Sequence, residues 1–296
     1  MRVAVLIGAA GLAWAARASA VGLIHDVGIF SDLDDGVRVV LPAEVDSHRI
    51  RLRLDDAHRL LVLFEADQPL KAYPLSKACP AGPLSAPAAL ALLGADDAAE
   101  LRGLVNDATV VERDQSRQPS DDRDGDGIPD RLDVLMGARK LVLNGAAYTE
   151  GYFRIAFPGG DVPRQVGVCS DTIVRAFRNA GLDLQRLVAD DIRASPAAYR
   201  DVTRPNPSID HRRVKTLLTW FRRHVPEVHG DKPRPGDVVF LDTFPRRPGP
   251  DHVGIISDRT APSGQPYVIN NWTVGYHEGE MDLLPFVPVT HRFRMK

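Results

Sequence analysis

The stretch GVCSDTIVRAFRNAGLDLQ, Gly167 to Gln185, decides the reading of this chain. From Cys169 onward it has helical spacing: Cys169, Ile173 and Phe177 recur at i, i+4 and i+8, one apolar stripe, and Gly181 supplies the stop. A cysteine that opens a helix sits where the backbone dipole favours thiolate over thiol. Asp171 in the same first turn suits the dipole but partly opposes a neighbouring thiolate. Downstream, Pro235-Gly236-Asp237 reads as a turn feeding a strand from Val238 to Leu241. His252 begins the next strand, with Gly254 and Ile256 on its own face, and Asn270 and Asn271 fall in a third. Helices followed by short strands predict an α+β domain over residues 148–296.

The order of these residues carries chemistry. A helix-borne cysteine packed on a sheet that presents a histidine and then a polar side chain is a nucleophile, a base and an orienting group. Cys169 would attack a carbonyl, His252 would take the thiol proton, and a side-chain amide would hold the imidazole. Strand parity alone does not choose Asn270 over Asn271. The Cys169 backbone N–H is a candidate oxyanion donor. A buried structural thiol is the plain alternative for any lone cysteine on an apolar helix face.

These motifs, GVCSDTIVRAFRNAGLDLQ, NPSIDHRRV, RPGDVVF, HVGIISD and PYVINNW, make the C-terminal half similar to the NlpC superfamily of bacterial cell-wall cysteine peptidases. They resemble more closely still the bacterial family described as domain of unknown function 1287. The resemblance covers about residues 148–296 and implies a papain-like fold, with a helix-borne cysteine on an antiparallel sheet. It places Cys169 on the nucleophile and His252 on the base. Asn270 falls where relatives usually carry histidine. The superfamily's aspartate before the cysteine, which reads a substrate amine, is here Val168, so the same substrate specificity does not carry over. The activity implied is amide hydrolysis in peptidoglycan stem peptides, without a catalytic cofactor. A non-catalytic wall-binding module of the same fold, and acyl transfer to an amine, are the alternatives.

Upstream, DRDGDGIPDRLD has the spacing of an EF-hand calcium loop: Asp122, Asp124 and Asp126 at positions 1, 3 and 5, and Gly127 at the turn. Ile128 offers its carbonyl at position 7, and Asp130 and Asp133 stand at positions 9 and 12. Carboxylates this dense repel one another without a hard cation. The loop resembles the short calcium loops of thrombospondin type 3 repeats. It departs from the EF-hand in Pro129, which suits the first turn of an exiting helix, and in aspartate rather than glutamate at the last position. A structural calcium ion is expected, fixing the preceding linker to a helix over Asp130 to Asn144, with loop and helix together spanning residues 116–147. Asp32-Leu33-Asp34-Asp35 lacks the spacing and reads as a turn.

The first twenty residues, MRVAVLIGAAGLAWAARASA, read as a signal peptide: a positive n-region, an apolar stretch too short to span a bilayer, and the small residues Ala18 and Ala20 before cleavage. Export to the periplasm or beyond follows, with no transmembrane anchor. Residues 21–115 form an accessory module that reads as β-rich. His48 to Leu54 alternates, and the runs His58 to Glu65 and Leu70 to Leu75 could pair across Asp67-Gln68-Pro69. The run LLVLFEADQPLKAYPLS resembles the opening strands of L,D-transpeptidase domains, without that family's histidine and cysteine motifs. Two short helical patterns follow, and DQSRQPSD (114–121) reads as a linker.

The chain has 296 residues, 44% of them hydrophobic and 26% charged, with a formal net charge of -2, which is soluble, globular and wrong for a general nucleic-acid binder. Two cysteines, Cys79 and Cys169, exclude a disulfide scaffold and an all-cysteine zinc site, leaving one disulfide or free thiols. Asp210 to Arg213 reads as the opening of another helix, whose Val214, Leu217, Leu218, Phe221 and Val225 are core. Arg212, Arg213, Lys215, Arg222 and Arg223 lie mostly off that stripe and read as a solvated basic face. Nothing in the sequence sets the oligomeric state.

Overall fold

The computed structural model describes residues 28–114, 121–244 and 249–296. The expected signal peptide lies outside these residues, as does most of the expected linker.

The chain builds two sheets around a shared helix. In the first, β1 (Ile50–Asp55), β2 (Leu60–Glu65) and β3 (Gln68–Pro74) form an antiparallel meander. The short helices α1 (Ala86–Leu90) and α2 (Ala95–Arg102) then carry the chain back, so that β4 (Val110–Asp114) pairs parallel with β1. The order is β3-β2-β1-β4. Leu52, Leu54, Leu61 and Leu63 bury one face with α1 and α2, among them Ala89 and Leu101. The module is therefore β-rich but mixed, and Asp114 belongs to β4 rather than to a linker.

The opposite face packs on α3 (Asp130–Asn144): Val62, Phe64 and Ala72 share a cluster with Ile128, Leu132, Leu135 and Met136. On its other side α3 contributes Val134, Ala138 and Leu141 to the C-terminal core. A helix buried all round is an interior element, so the N-terminal module is not tethered through α3 but laid against it.

The C-terminal part starts with β5 (Ala147–Tyr148) and β6 (Val166–Gly167), a short parallel pair. Helices α4 (Cys169–Asn179), α5 (Leu184–Ala194) and α6 (Val214–His224) follow. Then come β7 (Val238–Leu241), β8 (His252–Thr260), β9 (Pro266–Asn270), β10 (Gly279–Met281) and β11 (Val289–Phe293). These five strands make one antiparallel sheet in the order β10-β9-β8-β7-β11. The α4 stripe of Ile173 and Phe177 lies in the core with Phe221, Phe240 and Phe293, whose rings meet edge to face or tilted at 5.4 to 5.6 Å. The mixed α+β architecture expected from the sequence is present.

Three expectations need correction. Asp210–Arg212 is a single 3-10 turn, and α6 starts at Val214. Asn271 lies one residue beyond the end of β9. Arg212 is buried rather than part of a solvated face, whereas Arg213, Lys215, Arg222 and Arg223 are exposed. Helical periodicity could not separate Arg212 from its neighbours, because the chain is not yet α-helical there.

Candidate functional site

Cys169 is the first residue of α4 and is only 6% exposed. The backbone N–H groups of Val253 and Ser170 point at its sulfur. Val253 directly follows His252 in β8, so the helix terminus sits against the start of that strand. Burial pushes the Cys169 thiol up to about 12, with Asp171 and Asp251 adding to the rise and the two N–H groups opposing it. The helix dipole, which on sequence grounds favours thiolate, is outweighed here by desolvation. Burial likewise holds His252 below its usual value, with Asn270 and Asp251 opposing. The resting pair is a neutral thiol and a neutral imidazole.

The imidazole is held in one tautomer. Asn270 donates its Nδ2 to the Val268 carbonyl at 3.0 Å, which turns Oδ1 toward His252 Nε2, also at 3.0 Å. An amide oxygen only accepts, so Nε2 carries the proton and Nδ1 keeps the lone pair. Gly254 makes this approach possible: a Cβ there would lie 2.5 Å from Val268 Cγ1 and 3.3 Å from Asn270 Cβ. Trp272 closes the other side of the imidazole, edge to face at 4.8 Å between ring centres.

Asn271 has a different task. Its Nδ2 donates to Ala146 and Gly167 carbonyls at 3.2 and 3.3 Å, tying the end of β9 to β5 and β6. Of the two candidate amides, Asn270 alone faces the histidine.

Several neighbours are given no part in the site by the sequence. Tyr148, half-buried on β5, stands close enough to Cys169 for their charges to interact, and its hydroxyl donates to Glu150 at 3.2 Å. Asp251 is pinned by the Thr243 N–H at 2.7 Å and the Thr243 hydroxyl at 2.6 Å. Asp171 and Arg212 form a two-pronged buried ion pair at 2.7 and 2.9 Å. Glu278 is fully enclosed, accepts a 2.5 Å hydrogen bond from Thr172, and is pushed by burial up to about 7. Asp171 and Arg212 stand in quoted motifs, but nothing in the sequence pairs them, and Tyr148, Asp251 and Glu278 belong to no periodic pattern or spaced motif.

Cys79 and Cys169 are both free thiols. Cys79 accepts from Arg113 at 3.2 Å in the N-terminal module. A disulfide between the two, possible on sequence grounds, is not formed.

In the acidic loop, oxygens of Asp122, Asp124 and Asp126 lie within 4.8 Å of one another. Asp122 accepts from Gly125 and Gly127 N–H at 2.8 and 2.9 Å, and Asp126 from Ile128 N–H at 2.7 Å. The expected sixth-position glycine is required: Gly127 has φ of +93°, and a Cβ there would meet the His58 ring at 2.5 Å. Asp130 turns to Arg123 instead, taking its N–H at 2.9 Å and its guanidinium at 3.2 Å. Asp133 is fully buried on α3 and is not among the three that converge. Asp32 pairs with Arg164 at 2.9 and 3.0 Å within a 3-10 turn.

The fold and site define a mixed α+β domain with a helix-borne cysteine beside a histidine–asparagine pair. The chain belongs to the family described as domain of unknown function 1287, whose sequence profile matches residues 135–295. It is 39% identical over 165 residues to the uncharacterized protein YijF of Escherichia coli (strain K12), spanning 51% of this chain and 75% of that protein. No solved structure matches it. Among the described residues no helix is long and apolar enough to cross a membrane.

Proposed function

We propose that this protein is an exported cysteine hydrolase of NlpC-like, papain-type fold that cleaves an amide bond in peptidoglycan stem peptides. The observation that carries the reading is the tautomer of His252. Asn270 fixes the proton on Nε2, so Nδ1 is the basic nitrogen left for a thiol at the terminus of the adjoining helix. In the reaction Cys169 Sγ bonds to the amide carbon as its proton passes to His252 Nδ1. The imidazolium then returns that proton to the leaving nitrogen as the C–N bond breaks. Water, deprotonated by the same nitrogen, hydrolyses the thioester to a carboxylate and restores the thiol. The Cys169 backbone N–H, one of the unspent donors of the helix's first turn, is placed by this reading toward the carbonyl oxygen.

A structural calcium ion belongs to the same reading. The convergence of Asp122, Asp124 and Asp126 suits a hard cation, with the Ile128 carbonyl as a further oxygen. The engagement of Asp130 with Arg123 narrows the ligand set expected from the loop spacing. An ion there would brace the loop between His58 of the N-terminal module and the end of α4, where a Cβ at Gly181 would lie 3.0 Å from Asp124 Cβ.

The burial of Cys169 favours a second reading, a wall-binding module whose thiol is structural. Digestion of purified muropeptides by the wild type and by Cys169→Ala, read by mass spectrometry, separates the two. The hydrolase reading expects stem-peptide amide cleavage by the wild type alone. A Cys169 that alkylates slowly, at a rate indifferent to replacement of His252, overturns it.

A further inference from the structure

Arg212 makes four hydrogen bonds around the start of the helix that carries Cys169. Its Nε and Nη2 donate to Asp171 at 2.7 and 2.9 Å, its Nη1 to the Gly151 carbonyl at 3.2 Å, and its own carbonyl accepts from Ser170 Oγ at 2.6 Å. Asp171 in turn accepts from the Val168 N–H at 2.8 Å. Phe153 lies under the guanidinium, 5.4 Å from its ring centre. The residues on both sides of the thiol, Val168, Ser170 and Asp171, are thus bonded to this ion pair or part of it. Asp171 is also the sole acidic residue of the helix's first turn.

We propose that Arg212 is a positioning residue for Cys169: its guanidinium cancels the Asp171 charge beside the thiol and fixes the turn from which the sulfur projects. The inference rests on the proposed reading only in taking Cys169 as the reacting group. A buried carboxylate stripped of its partner would disfavour a thiolate on the same helix turn, and a partner stripped of its carboxylate would favour one. The other titratable groups that act on the thiol are Asp251, just before β8, and Tyr148 from β5; His252, next to Asp251, opens β8. None of them changes in the variants below. Lysine cannot replace the arginine fork, because it offers a point charge rather than two parallel donors.

The test is the rate of Cys169 alkylation by iodoacetamide from pH 6 to 9, in the full chain with Cys79→Ser so that one thiol remains. At pH 8, Arg212→Met should slow alkylation by about tenfold, since each pH unit of thiol midpoint is a tenfold change in thiolate. Asp171→Asn, which keeps an acceptor for the Val168 N–H, should accelerate it by a similar factor. The double variant should return to within about threefold of the starting rate, because charges removed as a pair leave the thiol's field unchanged. A purely structural role, in which each variant only loosens the packing over a thiol 6% exposed, moves all three in the same direction, and that pattern overturns the proposal. Should Arg212→Met fail to fold, Asp171→Asn is read against the double variant: a gain that the double variant reverses supports the proposal, and a gain it keeps, or a loss, overturns it. An alkylation rate indifferent to His252 would sink the hydrolase reading, yet the opposed signs of the two single variants would still be readable.

Discussion

His252 and Asn270 are joined at 3.0 Å between neighbouring strands, and the Asn270 amide cannot turn over because Val268 holds its other end. The pair fixes which ring nitrogen is basic before any substrate arrives. Asn270→Ala should remove one hydrogen bond of about 1 to 1.5 kcal/mol and free the ring to take the wrong tautomer. Alkylation of Cys169 at neutral pH is then expected to fall by about tenfold or more, while Asn271→Ala, which loosens the tie to β5 and β6, should lower thermal stability more than thiol reactivity. Paired kinetics and melts of the two variants check this.

His252→Ala should cost about 100- to 10,000-fold in any amide cleavage, the span general-base catalysis covers. The pH profile has a predicted sign. Burial holds His252 below 6.5, so the imidazole stays neutral and basic down through that value. The acid limb of activity or alkylation should have its midpoint below pH 6.5, and a midpoint well above it would contradict the burial seen here.

Glu278 offers a stability prediction. Its folded value is raised to about 7 from 4.5, so between those pH values the folded state holds a proton the unfolded state has released. Stability from this group is present in full below 4.5 and is lost as pH rises through about 7. The loss is on the order of 3 kcal/mol, at about 1.4 kcal/mol per pH unit. Urea melts of Glu278→Gln against wild type across this window should show the variant lacking that part of the decline.

Calcium, if bound as proposed, should raise the melting temperature by mass action. At a tenfold excess over the dissociation constant the gain is about 1.4 kcal/mol, or a few degrees for a domain of this size. Scanning calorimetry with calcium and with chelator reads it, and Asp122→Asn with Asp126→Asn should abolish the difference. Identical melts with and without chelator would remove calcium from the account.

Gly254→Val should separate β8 from β9, since a Cβ has no room beside Val268 Cγ1. Such overpacking typically costs about 1 to 3 kcal/mol. The His252–Asn270 contact should loosen with it, so alkylation of Cys169 and the melting temperature are expected to fall together.

Much of this was legible in the sequence where the signal is local. The apolar stripe of Cys169, Ile173 and Phe177 with Gly181 placed α4. The Asp130 to Asn144 pattern placed α3, and Val238–Leu241 and the start at His252 fell where the strands lie. Helical and strand periods depend on residues a few positions apart, and those are in the string. The spacing of Asp122, Asp124 and Asp126 was equally visible, being one loop's geometry.

What the sequence left open depends on partners far along the chain. Asn270 and Asn271 are adjacent and chemically identical, and only the neighbouring β8, with Ala146 and Gly167 on the other side, gives one to His252 and the other to the backbone. The helix terminus favours a thiolate at Cys169, but burial in the folded chain reverses the balance. Arg212 looks like one more surface arginine until Asp171, 41 residues away, closes on it. By itself the sequence determined α3, α4, the strands around Val238, His252 and Asn270, and the residue types of the site. The tertiary structure alone decided protonation, tautomer and pairing, because desolvation and hydrogen-bond geometry are set by atoms that meet only when the chain has folded.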